Sequence, residues 1–183
     1  FSGGSTLITT GLHSQGVIAQ SIAGGGGFTS QNGDTMRLGV SGGNGNAGSV
    51  LITNRGTIAT SGDYSEGLIA QSISGGGGNA GSSNVSLSMG GINAFGDASD
   101  VTVNNLGGTI QTTGDYSAGV VAQSVGAGGG RTGSASGALT LGGDNASGDA
   151  GNVTLDNTAG TIATSGDYSP SYLMQSVGGG GGM

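Results

Sequence analysis

The chain has 183 residues, with 46 glycines, one proline, three basic residues and ten acidic ones, and its formal net charge is −7. Glycine costs about 1 kcal/mol per residue in a helix interior, and no apolar stripe of helical period extends over ten residues, so helix is nearly excluded. The shortage of basic residues argues against binding to nucleic acid, whose phosphates attract them. It also argues against docking on an anionic membrane surface.

Short apolar runs rich in β-branched residues recur between turn-forming segments. In chain order, the second copy contains VLITN from Val50, GTIAT from Gly56, GLIAQSI from Gly67 and NVSLSMGG from Asn84. Runs of this length bounded by Gly, Asn, Asp and Ser predict short β-strands, four or five in each copy. None approaches the ~18 residues of a membrane-spanning helix. We therefore expect no direct insertion of this segment into a membrane.

These runs belong to an internal repeat of about 52 residues. Its clearest marker is a recurring glutamine, and the steps between copies are 51, 52 and 52 residues: Gln20, Gln71, Gln123 and Gln175. The block GTIATSGDYS from Gly56 has counterparts at Gly108 and Gly160. We divide the chain into approximate units at residues 1–49, 50–100, 101–152 and, as a partial unit, 153–183. The chain is expected to be a piece of a longer protein.

A fixed period with near-identical strands favours copies that stack on one another. We therefore predict an all-β fold, a right-handed parallel β-solenoid (β-helix) formed as one continuous segment. The apparent subunits of the repeat suggest two coils of about 26 residues each, with three coils of about 17 as the alternative. With two coils per repeat, equivalent residues would lie ~9.6 Å apart along the axis.

A run of glycines follows each glutamine-containing strand. We predict that these glycines form corners with positive φ and places where backbones lie close together. The less favoured interpretations are an exposed glycine ribbon for partner contact and a phosphate-binding loop. No GK[ST] sequence follows any of the runs, and no strand-then-helix context exists, so the phosphate loop is the least favoured.

The order of the blocks resembles the passenger-region repeat of large Gram-negative autotransporter adhesins, which use type V secretion. The resemblance rests on VTVNNLGGTIQTTGDYSAGVVAQSVGAGGG from Val101 and GALTLGGDNASGDAGNVTLDN from Gly137, and it covers essentially the whole chain. The chain departs from the pattern at GLHS, residues 11–14, and at Pro170. The resemblance implies a β-helical passenger on the bacterial cell surface, exported through the outer membrane by a carboxy-terminal barrel.

The acidic residues are spread along the chain without clustering. A polysaccharide-cleaving enzyme needs grouped carboxylates, so we predict no catalytic residues and no enzymatic activity. Asp63, Asp115 and Asp167 recur at one repeat position and are predicted to cap turns by accepting bonds from backbone N–H groups. His13 is the only histidine and has no recurring partner, which argues against metal or nucleophilic chemistry built on it.

Calcium is the one metal for which candidate ligands exist. GGINAFGDASD from Gly90 and GGDNASGDAGN from Gly142 share paired glycines and later aspartates with calcium-binding repeats, but the spacing differs. Solvated turns are the favoured interpretation, and we predict no cofactor. The less favoured calcium ligands are Asp97, Asp100, Asp144 and Asp149.

Tyr64, Tyr116 and Tyr168 share the position after the recurring aspartate and are the candidate partner-binding residues. Aromatic rings at a corner could stack on sugars or contact a protein, or each ring could simply cover its own corner. The glutamines alternate with Ile or Val and so share a face with them. An interior face would require the amides to bond one another or backbone, whereas an exterior face would expose Ile69 and Ile73 for lateral contact.

We predict a structural and adhesive segment that attaches cells to one another or to a surface, as in a biofilm or fibre. Its expected partners are surface glycans or proteins and further copies of itself, end to end or laterally, because open sheet edges template pairing. An ice-binding solenoid and a passive stalk are the alternatives. Threonine pairs such as Thr57 and Thr60 suggest the former, but residues three apart in a strand face opposite sides.

Overall fold

The computed structural model describes residues 1–29, 36–38, 42–80, 86–132, 138–143, 145–179 and 181–182. Within these ranges the ordered elements are short strands, and no helix is long and apolar enough to cross a membrane. The strands are β1 (Thr6–Thr9), β2 (Val17–Ile22), β3 (Gly26–Thr29), β4 (Met36–Leu38), β5 (Val50–Asn54), β6 (Thr57–Thr60), β7 (Leu68–Ile73), β8 (Gly77–Ala80), β9 (Leu87–Met89), β10 (Val101–Asn105), β11 (Thr109–Thr112), β12 (Val120–Val125), β13 (Gly129–Thr132), β14 (Leu139–Leu141), β15 (Val153–Asp156), β16 (Thr161–Thr164), β17 (Tyr172–Val177) and β18 (Gly181–Gly182).

The strands of the described residues form five sheets, which we name after their characteristic residues. They are the threonine sheet β1-β6-β11-β16, the glutamine sheet β17-β12-β7-β2, the glycine sheet β18-β13-β8-β3, the leucine sheet β14-β9-β4 and the valine sheet β15-β10-β5. The chain enters these sheets in the same order in every repeat, and the pairings are parallel. The prediction of an all-β fold with parallel strand pairing is confirmed.

The register shows how far one repeat advances the sheets. Ile58 of β6 pairs with Leu7 of β1 and with Ile110 of β11, so partners are 51 or 52 residues apart. One repeat therefore advances each sheet by one strand, and the predictions of two or three coils per repeat are wrong. The five strands of a repeat enter five different sheets, so no coil intervenes between equivalent strands. Equivalent residues are ~4.8 Å apart, half the predicted spacing.

A shared apolar core joins the valine, threonine and glutamine sheets. Alternate residues of β10 are buried, as expected for a strand with one inward face, and Val101 and Val103 meet Ile110, Val120 and Ala122 in one cluster. Burial of each such side chain stabilises the fold by roughly 1.5–3 kcal/mol before entropic costs. The repeating apolar positions therefore define the inside of the molecule.

The glutamine sheet is covered on both faces. Every residue of β7 and of β12 is buried. Leu68 and Ala70 face the main core, while Ile69 packs in a second cluster with Ala118 and Val121 on the opposite face. This double burial explains why the strand reads as a nearly continuous small and apolar run rather than a strict alternation.

The glycine run after β7 has two structural tasks. Gly75 and Gly76 turn the chain with φ values of 69° and 85°, and Gly77 has a φ of 131° where β8 begins. A Cβ atom on Gly77 would collide with the carbonyl oxygen of Gly129 in the neighbouring strand. The predicted corner and close backbone approach are both found. The later glycines also form strands, which the sequence did not indicate.

Candidate functional site: an aromatic ladder beside a carboxylate row

The three tyrosines predicted to bind a partner form a continuous stack at one turn position after the threonine sheet. The ring centroids of Tyr64 and Tyr116 are 5.0 Å apart with planes inclined by 4°. Those of Tyr116 and Tyr168 are 5.1 Å apart with planes inclined by 9°. His13 extends the stack, 5.1 Å from Tyr64. We call these four residues the aromatic ladder.

His13 has no recurring histidine, but it does have an aromatic partner in the next copy, which the sequence analysis did not predict. GLHS at residues 11–14 occupies the position of GDYS in the later copies. The imidazole ring therefore lies one strand step from the Tyr64 ring, with an angle of 23° between the planes. The signal was present in the alignment of the copies, but it was interpreted as degeneration rather than as replacement of one aromatic ring by another.

The backbone of the ladder residues adopts an unusual conformation that is the same in every copy. His13, Tyr64, Tyr116 and Tyr168 have φ values of 54° or 55°, in the left-handed region that bulky residues seldom adopt. Cross-repeat hydrogen bonds hold this conformation. The N–H of Tyr64 donates to the carbonyl of Asp115 at 2.9 Å, and that of Tyr116 donates to the carbonyl of Asp167 at 2.8 Å.

Inward-facing threonines and serines fix the turns from inside. The hydroxyl of Thr60 donates to the carbonyl of Ser65 at 2.5 Å, and that of Thr112 donates to the carbonyl of Ser117 at 2.6 Å. The Ser117 hydroxyl in turn accepts a bond from the N–H of Ser65 in the preceding copy. Because these groups are buried, the turns and the rings they carry are held in a defined register.

A row of exposed carboxylates runs beside the ladder. Oδ1 of Asp63 accepts a bond from the N–H of Asp115 at 3.0 Å, and Oδ1 of Asp115 accepts one from the N–H of Asp167 at 2.8 Å. We call Asp63, Asp115 and Asp167 the carboxylate row. The predicted capping role is found for Asp63 and Asp115, and each caps the turn of the next copy. At the ~4.8 Å step between paired strands the charges lie within a Debye length, so the high dielectric constant of water, rather than salt, moderates their repulsion.

The phenol of Tyr116 is harder to ionise than an ordinary tyrosine. Partial desolvation in the stack raises its pKa, and the electrostatic influence of Tyr64, Tyr168, Asp115 and Asp167 raises it further. At neutral pH the Tyr116 phenol is therefore uncharged, and it lies beside the carboxylate row. This pairing favours partners that offer hydrogen-bond donors or positive charge.

We expect the ladder to stabilise the fold less at alkaline pH. Because the folded-state pKa of Tyr116 is raised, its contribution is complete below the unfolded tyrosine value of about 10 and is lost as the pH rises through the folded-state value. Tyrosinate absorbance should therefore show a late-ionising phenol that Tyr116→Phe removes. A titration curve in which Tyr116→Phe removes a phenol of ordinary pKa would contradict this result.

Stacking limits what the interior rings can offer to a partner. Their faces lie against neighbouring rings, so Tyr116, which is 44% exposed, presents mainly its edge and hydroxyl. Tyr168 is 79% exposed and its outer face has no aromatic neighbour among the described residues. A partner would therefore make contact mainly with ring edges, hydroxyl groups and carboxylates.

A shallow depression of about 130 Å³ lies on the outer face of the threonine sheet. It is bordered by the strand ends that lead into the turns of the carboxylate row. Its lining is apolar and hydroxyl-bearing: Ile8, Thr9, Ala59, Thr60, Ser61, Gln111 and Thr113. The outer face next to the ladder thus offers a small groove as well as charged and aromatic groups.

The recurring glutamines form a hydrogen-bonded ladder inside the protein. Nε2 of Gln20 donates to Oε1 of Gln71 at 2.5 Å, Gln71 donates likewise to Gln123 at 2.5 Å, and Gln123 donates to Gln175 at 2.7 Å. Gln71 and Gln123 are fully buried, as are Ile69 and Ile73 on the same face. The glutamines lie on the strand face opposite the main core, and this face is covered as well. The amides therefore bond one another, as expected for an interior face, and the predicted exposure of Ile69 and Ile73 for lateral contact is not found.

A second amide ladder was missed by the sequence analysis. Nδ2 of Asn54 donates to Oδ1 of Asn105 at 2.8 Å, and Nδ2 of Asn105 donates to Oδ1 of Asn157 at 2.7 Å. The signal was the asparagine that ends each of the runs VLITN, VTVNN and VTLDN. Both ladders run in the same direction, so every copy donates to the copy that follows it.

Two of the calcium candidates, Asp97 and Asp100, are exposed and bond the backbone of the next copy. Oδ1 of Asp97 accepts a bond from the N–H of Asp149 at 2.9 Å, and Oδ1 of Asp100 accepts one from the N–H of Asn152 at 2.7 Å. Asp144 lies outside the described residues. Within the described part of the chain, no three His, Cys, Asp or Glu residues are grouped as a metal site would require.

No protein-family model, curated protein or solved structure matches the chain. The likeness of its blocks to autotransporter passenger repeats therefore remains a prediction from the sequence. The ladders and the outer faces beside them are the features from which a function can be inferred.

Proposed function

We propose that the five sheets surround one interior as a right-handed parallel β-solenoid in which each repeat is one turn. Two observations support this arrangement. The chain enters the sheets in a fixed order in every repeat, and residues of the valine, threonine and glutamine sheets meet in one apolar cluster. Such a fold grows by adding identical turns, and its outer faces repeat the same groups at the spacing of paired strands.

The proposed function is adhesion by a passenger segment displayed on a bacterial cell surface, in the manner of an autotransporter. The observation that carries the proposal is the aromatic ladder with its carboxylate row, because it repeats one pair of chemical groups, a carboxylate and a phenol, in three successive copies. Many equal weak contacts in a rigid row add through effective concentration. Glycans and proteins on neighbouring cells, which present hydroxyl, amide and basic groups, are the proposed partners.

An ice-binding surface is the second candidate, and the arrangement of the threonines weakens it. Thr60 and Thr112 face inward and are buried. The outward threonines form one column, made of Thr6, Thr57, Thr109 and Thr161. A single column offers half the regular array that the threonine pairs suggested. An enzyme is less favoured still, because the three neighbouring acids of the carboxylate row lie in exposed turns, where Asp63 and Asp115 cap the backbone of the following copy.

We expect the variant with serine in place of the three ladder tyrosines to reduce the attachment of cells that display the segment by about tenfold or more. The reason is that the multivalent row no longer offers aromatic contacts. Attachment to glycan-coated surfaces and cell aggregation are the measurements. The matched control replaces an outward column of the valine sheet, Leu51, Thr102 and Thr154, with serine. Unchanged attachment by a folded tyrosine variant would leave the segment a passive stalk.

Self-association end to end is a further part of the proposal. In the isolated 183-residue segment, the outermost strands of each sheet offer unpaired backbone groups, which favour addition of another strand. The glutamine ladder is directional, because each glutamine donates to the glutamine of the following copy, so isolated segments would associate head to tail. Sedimentation velocity should show association that increases with protein concentration. A single monomeric species over the whole concentration range would contradict this expectation.

A further inference from the structure

The tyrosine side chains of the aromatic ladder lie close to one another in a regular stack. The centroids of neighbouring rings are 5.0 and 5.1 Å apart and the ring planes are nearly parallel, so the phenols of adjacent copies lie next to one another in a stack. Tyr116 and Tyr168 are also open to solvent, with exposed fractions of 44% and 79%. Close, ordered and accessible phenols are the requirements for oxidative coupling of tyrosines.

We propose that Tyr64, Tyr116 and Tyr168 are a cross-linking site at which a peroxidase-type oxidant with hydrogen peroxide joins neighbouring repeats through dityrosine. This inference does not depend on the adhesive function. The covalent bond would connect residues 52 positions apart in the chain. It would close that loop permanently and so restrict separation of adjacent turns.

The reaction balances with one molecule of hydrogen peroxide for each cross-link. Each of two phenols loses one electron and its phenolic proton to give a phenoxyl radical. The two radicals combine at the ring carbons next to the oxygens, and the proton on each of these carbons then moves to the neighbouring oxygen, which restores the phenols. The tyrosines together lose two hydrogen atoms, and hydrogen peroxide is reduced to two molecules of water.

The geometry favours coupling within one chain over coupling between chains. Exposed side chains change rotamer in picoseconds to nanoseconds, which lets two adjacent rings tilt out of the stack until the reacting carbons meet. The shared scaffold gives these rings a high effective concentration. In dilute protein the neighbouring repeat is therefore the preferred partner of each radical.

Tyr116 is the central residue of the site, and Tyr172 is its natural control. Tyr116 has a tyrosine on either side, so Tyr116→Phe removes both possible pairs while a ring remains in the stack. Tyr172 is 59% exposed, but its register partner in the adjacent strand is Val120. Accessibility is thus similar in the two residues, and the difference between them is the aligned phenol.

Peroxidase and hydrogen peroxide are added to the dilute chain, which is then unfolded and cleaved after its single glutamate, Glu66, and after its arginines. The digestion places Tyr64, Tyr116 and Tyr168 in separate peptides, residues 56–66, 67–131 and 132–183. Dityrosine fluorescence reports the yield, and mass spectrometry identifies joined peptides that lack two hydrogens. We expect links between the first and second or the second and third of these peptides, in monomeric protein.

The variants separate a ladder reaction from general tyrosine oxidation. Tyr116→Phe should lower the yield by about tenfold or more, since proximity of the reacting groups is lost. Tyr64→Phe should retain the link between Tyr116 and Tyr168, and Tyr172→Phe should leave the yield unchanged. Circular dichroism checks that each variant is folded. Undiminished intramolecular yield in folded Tyr116→Phe, or products made mainly through Tyr172 or between chains, would overturn the proposal.

Discussion

Gly77→Ala is expected to lower the free energy of unfolding by about 3–5 kcal/mol. The backbone φ at this position is 131°, where residues with a Cβ atom are strained, and the added atom would collide with the carbonyl oxygen of Gly129. Both atoms belong to paired backbones, so neither can move without disturbing the sheet. Urea denaturation followed by circular dichroism measures the change.

Gly107→Ala provides a matched comparison for this substitution. Gly107 also has a positive φ, 74°, but a Cβ atom there would meet nothing within 4 Å. Its replacement should cost about 1–2 kcal/mol, the strain of the left-handed conformation alone. The difference between the two variants isolates the close approach of the glycine strands. Equal losses at Gly77 and Gly107 would show that this approach is absent.

Gln71→Met is expected to lower the free energy of unfolding by about 2–4 kcal/mol. Methionine has a similar unbranched shape but no amide. Nε2 of Gln20 would lose its acceptor and Oε1 of Gln123 would lose its donor, and Gln123 is fully buried. The loss comes mainly from polar groups left unsatisfied in the interior rather than from a missing contact.

The variant with methionine in place of all four glutamines tests this explanation. It removes each donor together with its acceptor, which can be nearly neutral when the shape is kept. We therefore expect the fourfold variant to be more stable than Gln71→Met although it carries more substitutions. If instead the losses simply accumulate from one to four substitutions, the ladder contributes through packing and the account of unsatisfied amides is wrong.

The sequence predicted the type of fold because local pattern and repetition agree. VLITN, GTIAT and GLIAQSI form strands near the expected positions, and the glycines that follow form corners. The number of coils per repeat was wrong for a physical reason. The sequence period gives the number of residues between equivalent strands. It does not show whether a strand pairs with another strand of its own repeat or with the equivalent strand of the next repeat, because both arrangements have the same period.

Contacts made between the copies could be predicted only in part. The recurring tyrosines identified the residues of the aromatic ladder. The distance between their rings could not be predicted, because it depends on how many coils one repeat forms. Gln71 could have faced either side of its strand, because Leu68 and Ile69 are both apolar and give the sequence no polar face. Asp63 was expected to cap a turn, but the sequence could not tell that the N–H it bonds is that of Asp115 in the next copy.

Disulfide formation between introduced cysteines tests most directly whether one repeat advances each sheet by one strand. The chain has no cysteine, and Ala59 pairs in register with Gln111, which in turn pairs with Ala163. Cysteines at positions 59 and 111 would have Cα atoms ~4.8 Å apart, within the range for a disulfide. They should therefore form an intramolecular bond under mild oxidation, whereas cysteines at 59 and 163, two strand steps apart, should not. Failure of the 59 and 111 pair to bond in a folded monomer would contradict the arrangement of the repeats.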